Sequence, residues 1–545
     1  MQKALLLIVS TFVFILSRIR VIVNSHIVSN DVSQHHFWMF KFNEDVFHES
    51  DIIASFAEII QPKAYVFLYE ILLSFVEIKY AILTIEYLIF ILTCLLLLEI
   101  CKKYLNNGYV INYLLIIVAL SLPDIVGGFA RSFSFLIIIF PLYFIDKRYD
   151  QYYIGIFLIL SAFLYPVSFL ISAGAINVVY LLKGILSKDY ILYTRKISVI
   201  VICCIISVYF LSIKSESFNQ APEVGKVIGK EDIMNNPIMG KKGRIPLKPQ
   251  FESLSFKLIG AELAKSASSF IQIPTLFKTF NTWLIFIISL IPLCYFFFII
   301  SRKRELNNLE IFIISLLASG IILFFLARLL PFKLYMPTRY LEKTFPIIFT
   351  LICIMLIEKY FNKHKMKYVV GIFLSVLIGG GIYNNNFGGF NDYQKFAPAF
   401  ELAKNTPKKS LIAAPPDVAS LLPFFAKRSI LVSEESCHGV YYERYRVDQM
   451  QKMSDLLTLY TTEDLQKVKE IINRYNIDFI IYDEKTSIFS NQENAPLFEP
   501  YTKELKDLYN SNAFANSYLS KVVQENKSLL EKNLDFIIVN ADKLK

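Results

Sequence analysis

Two blocks of this chain, 282–300 and 311–327, contain no charged residue. An apolar run of about 17–20 residues is long enough to cross the hydrocarbon core of a bilayer as a helix. In lipid, a segment must satisfy its own backbone hydrogen bonds, so few other folds are open to it. Similar blocks recur along the chain. We read about eleven spans, at 4–23, 79–100, 109–123, 131–145, 152–165, 167–183, 194–213, 282–300, 309–328, 344–358 and 367–383. The composition agrees, with 55% hydrophobic and 19% charged residues, against roughly 45–50% and 25% in soluble domains. These features exclude a soluble enzyme. Segment 62–78 carries Lys63, Glu70 and Glu77 among its aromatics, which places it as an interfacial helix rather than a span. No small-residue cleavage site follows the first span near Val23, so we read it as a retained helix and not a signal peptide.

The net charge of +10 reports orientation. With a cytoplasmic N-terminus, the inner loops contain Lys102 and Lys103, then Lys147 and Arg148, then Lys183, Lys188, Arg195 and Lys196. Further inner loops contain Arg302, Lys303 and Arg304, then Lys359, Lys363, Lys365 and Lys367. That is the expected bias of a multi-pass protein of the cell (inner) membrane. Arg18 and Arg20, near the outer end of the first span, break the rule. The basic residues form no aromatic-interleaved patch, so a nucleic-acid partner is not expected. Of the seven cysteines, Cys437 alone sits in a polar region, which excludes a disulfide framework.

This orientation puts 24–78, 214–281, 328–343 and everything beyond 383 outside the membrane. An Asn/Gly-rich linker, 384–390, separates a transmembrane domain, 1–383, from a tail, 391–545. In the tail, 410–414, 429–433, 478–483 and 535–540 read as buried strands, and 418–426, 442–459 and 462–475 as helices. The expected fold class is therefore a mostly α polytopic membrane protein with a C-terminal extracytoplasmic α/β domain. Loop 214–281, with Pro222, Pro237, Pro246 and Pro249, reads as a flexible loop or lid.

The polar residues with chemical potential gather on the outer side. In a helix, Asp31, His35 and Trp38 share one face. A carboxylate, an imidazole and an indole together suit deprotonation of a hydroxyl and stacking on a sugar ring. An interfacial helix with Asp31 as its cap reads equally well. Asp31 and His35 lack a clear third metal ligand, so a divalent cation is an option and no more. The acids and histidine at Glu44, Asp45, His48, Glu49 and Asp51 read as a solvated turn, with Asp51 capping the next helix. Asp124 and Arg131 flank Gly127-Gly128, and either pair with each other or face the same cavity as Asp31. Glu86 lies about two turns inside the second span, where an ionisable group finds a partner or points into a cavity. The short loop carrying Arg328, Lys333, Arg339, Tyr340 and Lys343 is basic against the orientation rule. It either binds lipid headgroups and Glu342 or clamps a phosphate. In the tail, Glu434, Glu435, His438 and Glu443 with Tyr441, Tyr442 and Tyr445 make an acceptor platform or a core with a solvated rim.

These residues carry a resemblance. The first loop, reading Asp31…Gln34-His35…Trp38, then Phe47 and Asp51-Ile52-Ile53-Ala54, resembles bacterial members of the C-type (GT-C) glycosyltransferases. So do Gly128…Arg131-Ser132-Phe133, Tyr335…Pro337-Thr338-Arg339-Tyr340 and, in the tail, Leu431-Val432-Ser433-Glu434, Tyr442…Tyr445 and Tyr475-Asn476-Ile477-Asp478. The resemblance implies a polytopic enzyme that takes a sugar from a polyprenyl-phosphate carrier and passes it to a glycan, lipid or protein acceptor. It implies that Asp31 is the catalytic carboxylate of the first loop, acting as general base or metal ligand, and that Asp124 is a second one. It implies substrate contacts from His35, Trp38, Glu86, Arg131, Lys333, Arg339 and Tyr340. The sequence lacks an Asp-x-Asp or Asp-Glu pair at Asp31 and so departs from metal-dependent members.

Three other readings compete. A transporter or flippase for lipid-linked saccharides would show internal repeats and several deep charges, whereas this chain has no repeat and one deep acid, Glu86. A glycan polymerase or ligase would use the same arginines and acids. A non-catalytic envelope assembly protein would tolerate loss of Asp31.

Overall fold

The computed structural model describes residues 2–49, 51–104, 123–219, 224–235, 293–303, 305–330, 334, 336–361, 389–438, 442–484, 501–525 and 531–544. Among them, five helices are long and apolar enough to cross a membrane: Leu6–Val23, Ile78–Tyr104, Pro166–Ser187, Tyr190–Ser212 and Asn308–Leu329. Two shorter apolar helices, Ala130–Phe144 and Asp150–Leu164, pack among them. The helix Thr338–Phe361 contains the span expected at 344–358. Of the other expected spans, 109–122, 282–292 and 367–383 lie outside the described residues.

The ends of the helices sort the loops into two groups. At one end, Lys3 pairs with Glu99 at 3.0 Å, Lys196 with Asp150 at 2.8 Å, and Lys183 and Asn308 both with Asp146. Lys103 donates to the Ile145 carbonyl. All of these lie in segments read from charge as cytoplasmic. At the other end, the loop 24–78 folds into short helices: Asn30–His35, a 3-10 turn Phe37–Phe42, Ile52–Ile59 and Lys63–Leu73. The last of these is the segment expected to be interfacial, and at 11 residues it is too short to cross. Asp51 caps Ile52–Ile59 by accepting from Ile53 and Ala54 N–H, each at 2.9 Å, as the sequence predicted.

Arg18 is not a topological exception. It is fully buried, and its Nε donates to Glu86 Oε2 at 2.6 Å. The guanidinium also lies 5.1 Å from the Phe390 ring centroid. A neutralised pair inside the helix bundle does not count as loop charge, whereas Arg20, the other residue that breaks the rule, is exposed.

The tail contains a five-stranded sheet. Strand β1 (Ile27–Ser29) belongs to the first loop and pairs antiparallel with β2 (Phe390–Asp392). The sheet itself comprises β3 (Leu411–Ala413), β4 (Ser429–Ile430), β5 (Phe479–Asp483), β6 (Glu531–Asn533) and β7 (Phe536–Asn540), in the order β4-β3-β5-β7-β6. Strands β4, β3 and β5 are parallel, whereas β7 runs antiparallel to both β5 and β6. Residues 384–388 of the expected linker lie outside the described residues, and Phe390 is already part of β2.

Alternation along the strands decides how the tail sits. Ile480, Tyr482, Ile537 and Val539 point to one face, where Met453, Leu456 and Leu457 of the helix Glu443–Thr461 cover them. Ile481, Phe536 and Ile538 point to the other, into a core shared with Phe400, Phe37, Trp38 and the membrane helices. One hydrophobic core therefore runs from the helix bundle through the first loop to the sheet. Polar ties reinforce it, including Glu44 with Lys427, Asp45 with Lys409 at 2.6 Å, and the His48 N–H to Ser429 Oγ at 2.7 Å.

Candidate functional site

The short helix Asn30–His35 is clamped at both ends. At its start, β1 is held by β2, and Tyr393 Oη donates to Asn30 Oδ1 at 2.9 Å. At its end, His36 turns inward and is completely buried. The His36 ring packs 4.3 Å from Phe129, and its Nε2 shares a 2.9 Å hydrogen bond with Tyr65 Oη. Burial, with the charges of His35 and Arg131, pulls the His36 imidazole down to about 3. It is a neutral anchor rather than a proton carrier. With both ends fixed, Asp31 and His35 project from one face, four residues apart.

Arg131 reaches Asp31 from the turn Ala130–Phe133 and forms an ion pair with its carboxylate. Arg131 therefore faces Asp31, one of the two expected readings, while the Asp124 side chain lies outside the described residues. The guanidinium also lies 4.6 Å from the Phe129 ring centroid. Its backbone is held by the loop before it. Gly127 N–H donates to Glu86 Oε1 at 2.5 Å, and Tyr69 Oη donates to the Gly128 carbonyl at 2.9 Å. Gly127 has φ +83°, and a Cβ there would lie 2.2 Å from Phe129 Cε2. Only glycine fits this turn.

His35 is met from the tail. Its Nε2 lies 3.3 Å from Glu435 Oε1. Glu435 sits in a tight turn fixed by Ser433 and Ser436, each of whose N–H groups donates to the other's hydroxyl, at 2.9 and 3.1 Å. The sequence places Glu435 in an acidic cluster of the tail and gives no link to His35. A usable signal was its position just beyond a parallel strand, where α/β folds collect functional residues.

Arg339 stands in the first turn of Thr338–Phe361, 3.4 Å from Glu342, and its charge reaches Asp31. Burial pushes the Asp31 carboxyl up. The charge and hydrogen bond of Arg131, with the charges of His35 and Arg339, outweigh burial and hold it below the usual carboxylate range. Asp31 is therefore an ionised carboxylate in a cationic setting.

The remaining candidates lie elsewhere. Trp38 is fully buried, and its indole N–H donates to the His35 carbonyl at 2.9 Å. The expected sugar-stacking face is covered, so Trp38 supports His35 from behind. Glu86 is spent on Arg18 and Gly127 N–H, so it positions the Arg131 loop instead of touching a substrate. Tyr340 is buried in the core, which likewise leaves it no face toward a substrate. Asp124 lies on the turn Pro123–Gly128. Lys333 lies outside the described residues. Among the described residues, no group of three or more His, Cys, Asp or Glu is placed to hold a metal ion.

A strap from the second long loop docks beside this junction. Val224 and Lys226 carbonyls accept from Tyr445 and Glu443 N–H, at 3.1 and 3.0 Å. Tyr445 in turn stacks on Phe56 of the first loop, with centroids 3.9 Å apart. Residues 224–226 of that loop are thus bound to the start of the tail helix.

No protein-family model matches the chain, and no curated protein matches it in sequence. Among solved structures, it is similar to the oligosaccharyltransferase of Archaeoglobus fulgidus tethered with an acceptor peptide. There the identity is 11% over 90% of this chain and 70% of that one, with a TM-score of 0.46. It is also similar to AglB from the same organism in complex with an inhibitory peptide and a dolichol-phosphate, at 10% identity, 92% and 72% coverage and a TM-score of 0.47. A complex of that oligosaccharyltransferase with Zn and sulfate gives 11%, 92%, 70% and 0.48.

Proposed function

We propose that this chain is an inverting glycosyltransferase of the C type. It would move a sugar from a polyprenyl-phosphate carrier to a glycan, lipid or protein acceptor at the outer face of the cell membrane. One observation carries the reading: an ionised, half-exposed carboxylate, Asp31, stands with two guanidinium groups at the end of an apolar helix bundle, where a folded tail closes over it. That arrangement suits a substrate with a lipid chain, a phosphate and a sugar, in that spatial order.

Asp31 takes the proton of the acceptor hydroxyl. The acceptor oxygen then bonds to the anomeric carbon as the bond from that carbon to the phosphate oxygen breaks, with inversion. The electron pair leaves on the lipid phosphate, where Arg131 and Arg339 stabilise the developing charge. The proton passes from Asp31 to water. Glu435 orients His35 at the acceptor side, and Lys333 and Asp124 are proposed as further contributors. The sorting of loops into two ends supports a cytoplasmic N-terminus and an extracytoplasmic tail.

The test is a lipid and envelope-glycan mass-spectrometry profile of the native host, comparing wild type, deletion and Asp31→Asn. The expected result is accumulation of one polyprenyl-phosphate sugar in both mutants and loss of that sugar from an acceptor. A normal profile for Asp31→Asn alongside a defective deletion would remove Asp31 from catalysis and favour the assembly or transport readings.

A further inference from the structure

We propose that the Asp31–Arg131 ion pair is a latch, masking the carboxylate until the donor's phosphate takes Arg131. The base would then be released only in the donor-loaded site. This rests on the transferase reading above and adds a regulation of the same site.

The geometry separates what is fixed from what can move. The Arg131 backbone is held by the Glu86 and Tyr69 hydrogen bonds to the preceding glycines and by Ser134 Oγ donating to its carbonyl. Asp31 is held by the clamped ends of its helix. The freedom lies in the Arg131 side chain. Its Phe129 platform remains available whichever anion it contacts. The pair is open to a ligand, since the side chains of Arg131 and Asp31 are 31% and 41% exposed. Ion pairs of that exposure are weak and exchange readily for a better partner.

A phosphodiester is such a partner. A guanidinium fork presents the same donors to a carboxylate and to a phosphate, and it cannot serve both fully. Arg339 lies close enough for its charge to act on Asp31, so an arriving phosphate meets two cations. Once Arg131 is engaged by the phosphate, Asp31 loses its hydrogen-bonded partner and faces the acceptor. The order of binding is thereby encoded: donor first, base exposed second. Without a donor, the carboxylate stays capped and water is not activated beside an empty site.

The test measures lipid-phosphate binding by the full-length protein in nanodiscs. The probe is undecaprenyl methyl phosphate, a diester with one fixed negative charge. Competition between Asp31 and phosphate predicts that Asp31→Asn binds the probe more tightly than wild type, by at least about fivefold. Arg131→Gln is expected to bind at least about tenfold more weakly. The double variant should match Arg131→Gln, because the gain requires a released Arg131. Asp31→Ser repeats the comparison if the amide variant does not fold. Equal or weaker binding by Asp31→Asn overturns the latch. So does a double variant that gains over Arg131→Gln as much as Asp31→Asn gains over wild type, since simple removal of repulsion would then explain everything. If wild type turns over donor but shows no such coupling, the latch alone fails. If no variant and no wild type binds the probe, the transferase reading fails with it.

Discussion

His35 Nε2 lies 3.3 Å from Glu435 Oε1, joining the first loop to a turn of the tail far along the chain. Glu435 is buried in its Ser433–Ser436 turn while His35 is partly open. The tail therefore brings a side chain to the candidate site. The contact pairs an imidazole with a carboxylate, and interactions made to a charged group are worth roughly 1.5–3 kcal/mol. Glu435→Gln is accordingly expected to lower kcat by about 10–100-fold, with donor KM little changed. Steady-state kinetics on reconstituted protein would check this, and a wild-type kcat in Glu435→Gln would assign the contact to packing.

The acid limb of activity carries a sign. Burial alone would raise the Asp31 carboxyl, but the neighbouring Arg131, His35 and Arg339 charges prevail and lower it. The base stays ionised above that lowered value and is lost as pH falls through it. The acid limb of kcat/KM, which reports the free enzyme, is expected below the ordinary carboxylate range. Arg131→Gln should move it to higher pH. In the wild type, the limb of kcat should lie above that of kcat/KM, because the donor has drawn Arg131 away. Coincident limbs in wild type and Arg131→Gln would contradict this assignment.

His36 predicts an acid-sensitive stability. Its folded imidazole, chiefly through burial, titrates at about 3, against about 6.5 in an unfolded chain. Between those values the unfolded state binds a proton that the folded state refuses. Stability is therefore full above about pH 6.5 and falls on acidification, by roughly 1.4 kcal/mol per pH unit for this one group. His36→Gln should flatten that dependence between pH 6.5 and 4.5 in thermal unfolding scans, even if it lowers Tm overall. An unchanged slope would count against a buried neutral His36.

The Arg18–Glu86 pair is expected to be structural. Glu86→Gln leaves a guanidinium buried without its counter-charge, at a cost of about 3–5 kcal/mol. Arg18→Met together with Glu86→Met should recover much of that loss in detergent unfolding experiments. Because Glu86 also accepts from Gly127 N–H, the double variant is expected to retain lower donor affinity than wild type. Full recovery of both properties would separate Glu86 from the Arg131 loop.

Gly127→Ala tests the same loop directly. Its positive φ and the Phe129 ring 2.2 Å from an added Cβ imply strain of about 1–3 kcal/mol. The expected outcome is a raised donor KM, since Arg131 and its Phe129 platform must shift together. A variant with wild-type KM and Tm would show that the loop tolerates the change.

Much of this was legible without coordinates because it is written in local periodicity. The apolar blocks read as spans and appear as helices wherever they are described. Four of the tail strands fall where short apolar runs predicted them, at β3, β4, β5 and β7. Asp51 reads as a cap and acts as one. Strand β6 escaped notice because Glu531, Lys532 and Asn533 carry no apolar signal and owe their pairing to β7.

The partnerships were decided by the tertiary structure alone. Nothing near Arg18 in the sequence announces Glu86, and nothing near His35 announces Glu435. Trp38 has the composition of a binding residue and the position of a core residue, because the sheet packs its inner face over the first loop. Helices and caps follow from interactions within a few residues, so a linear reading finds them. An ion pair, a covered indole or a shared core depends on which distant surfaces meet, and burial and charge acquire their meaning only after those surfaces have met.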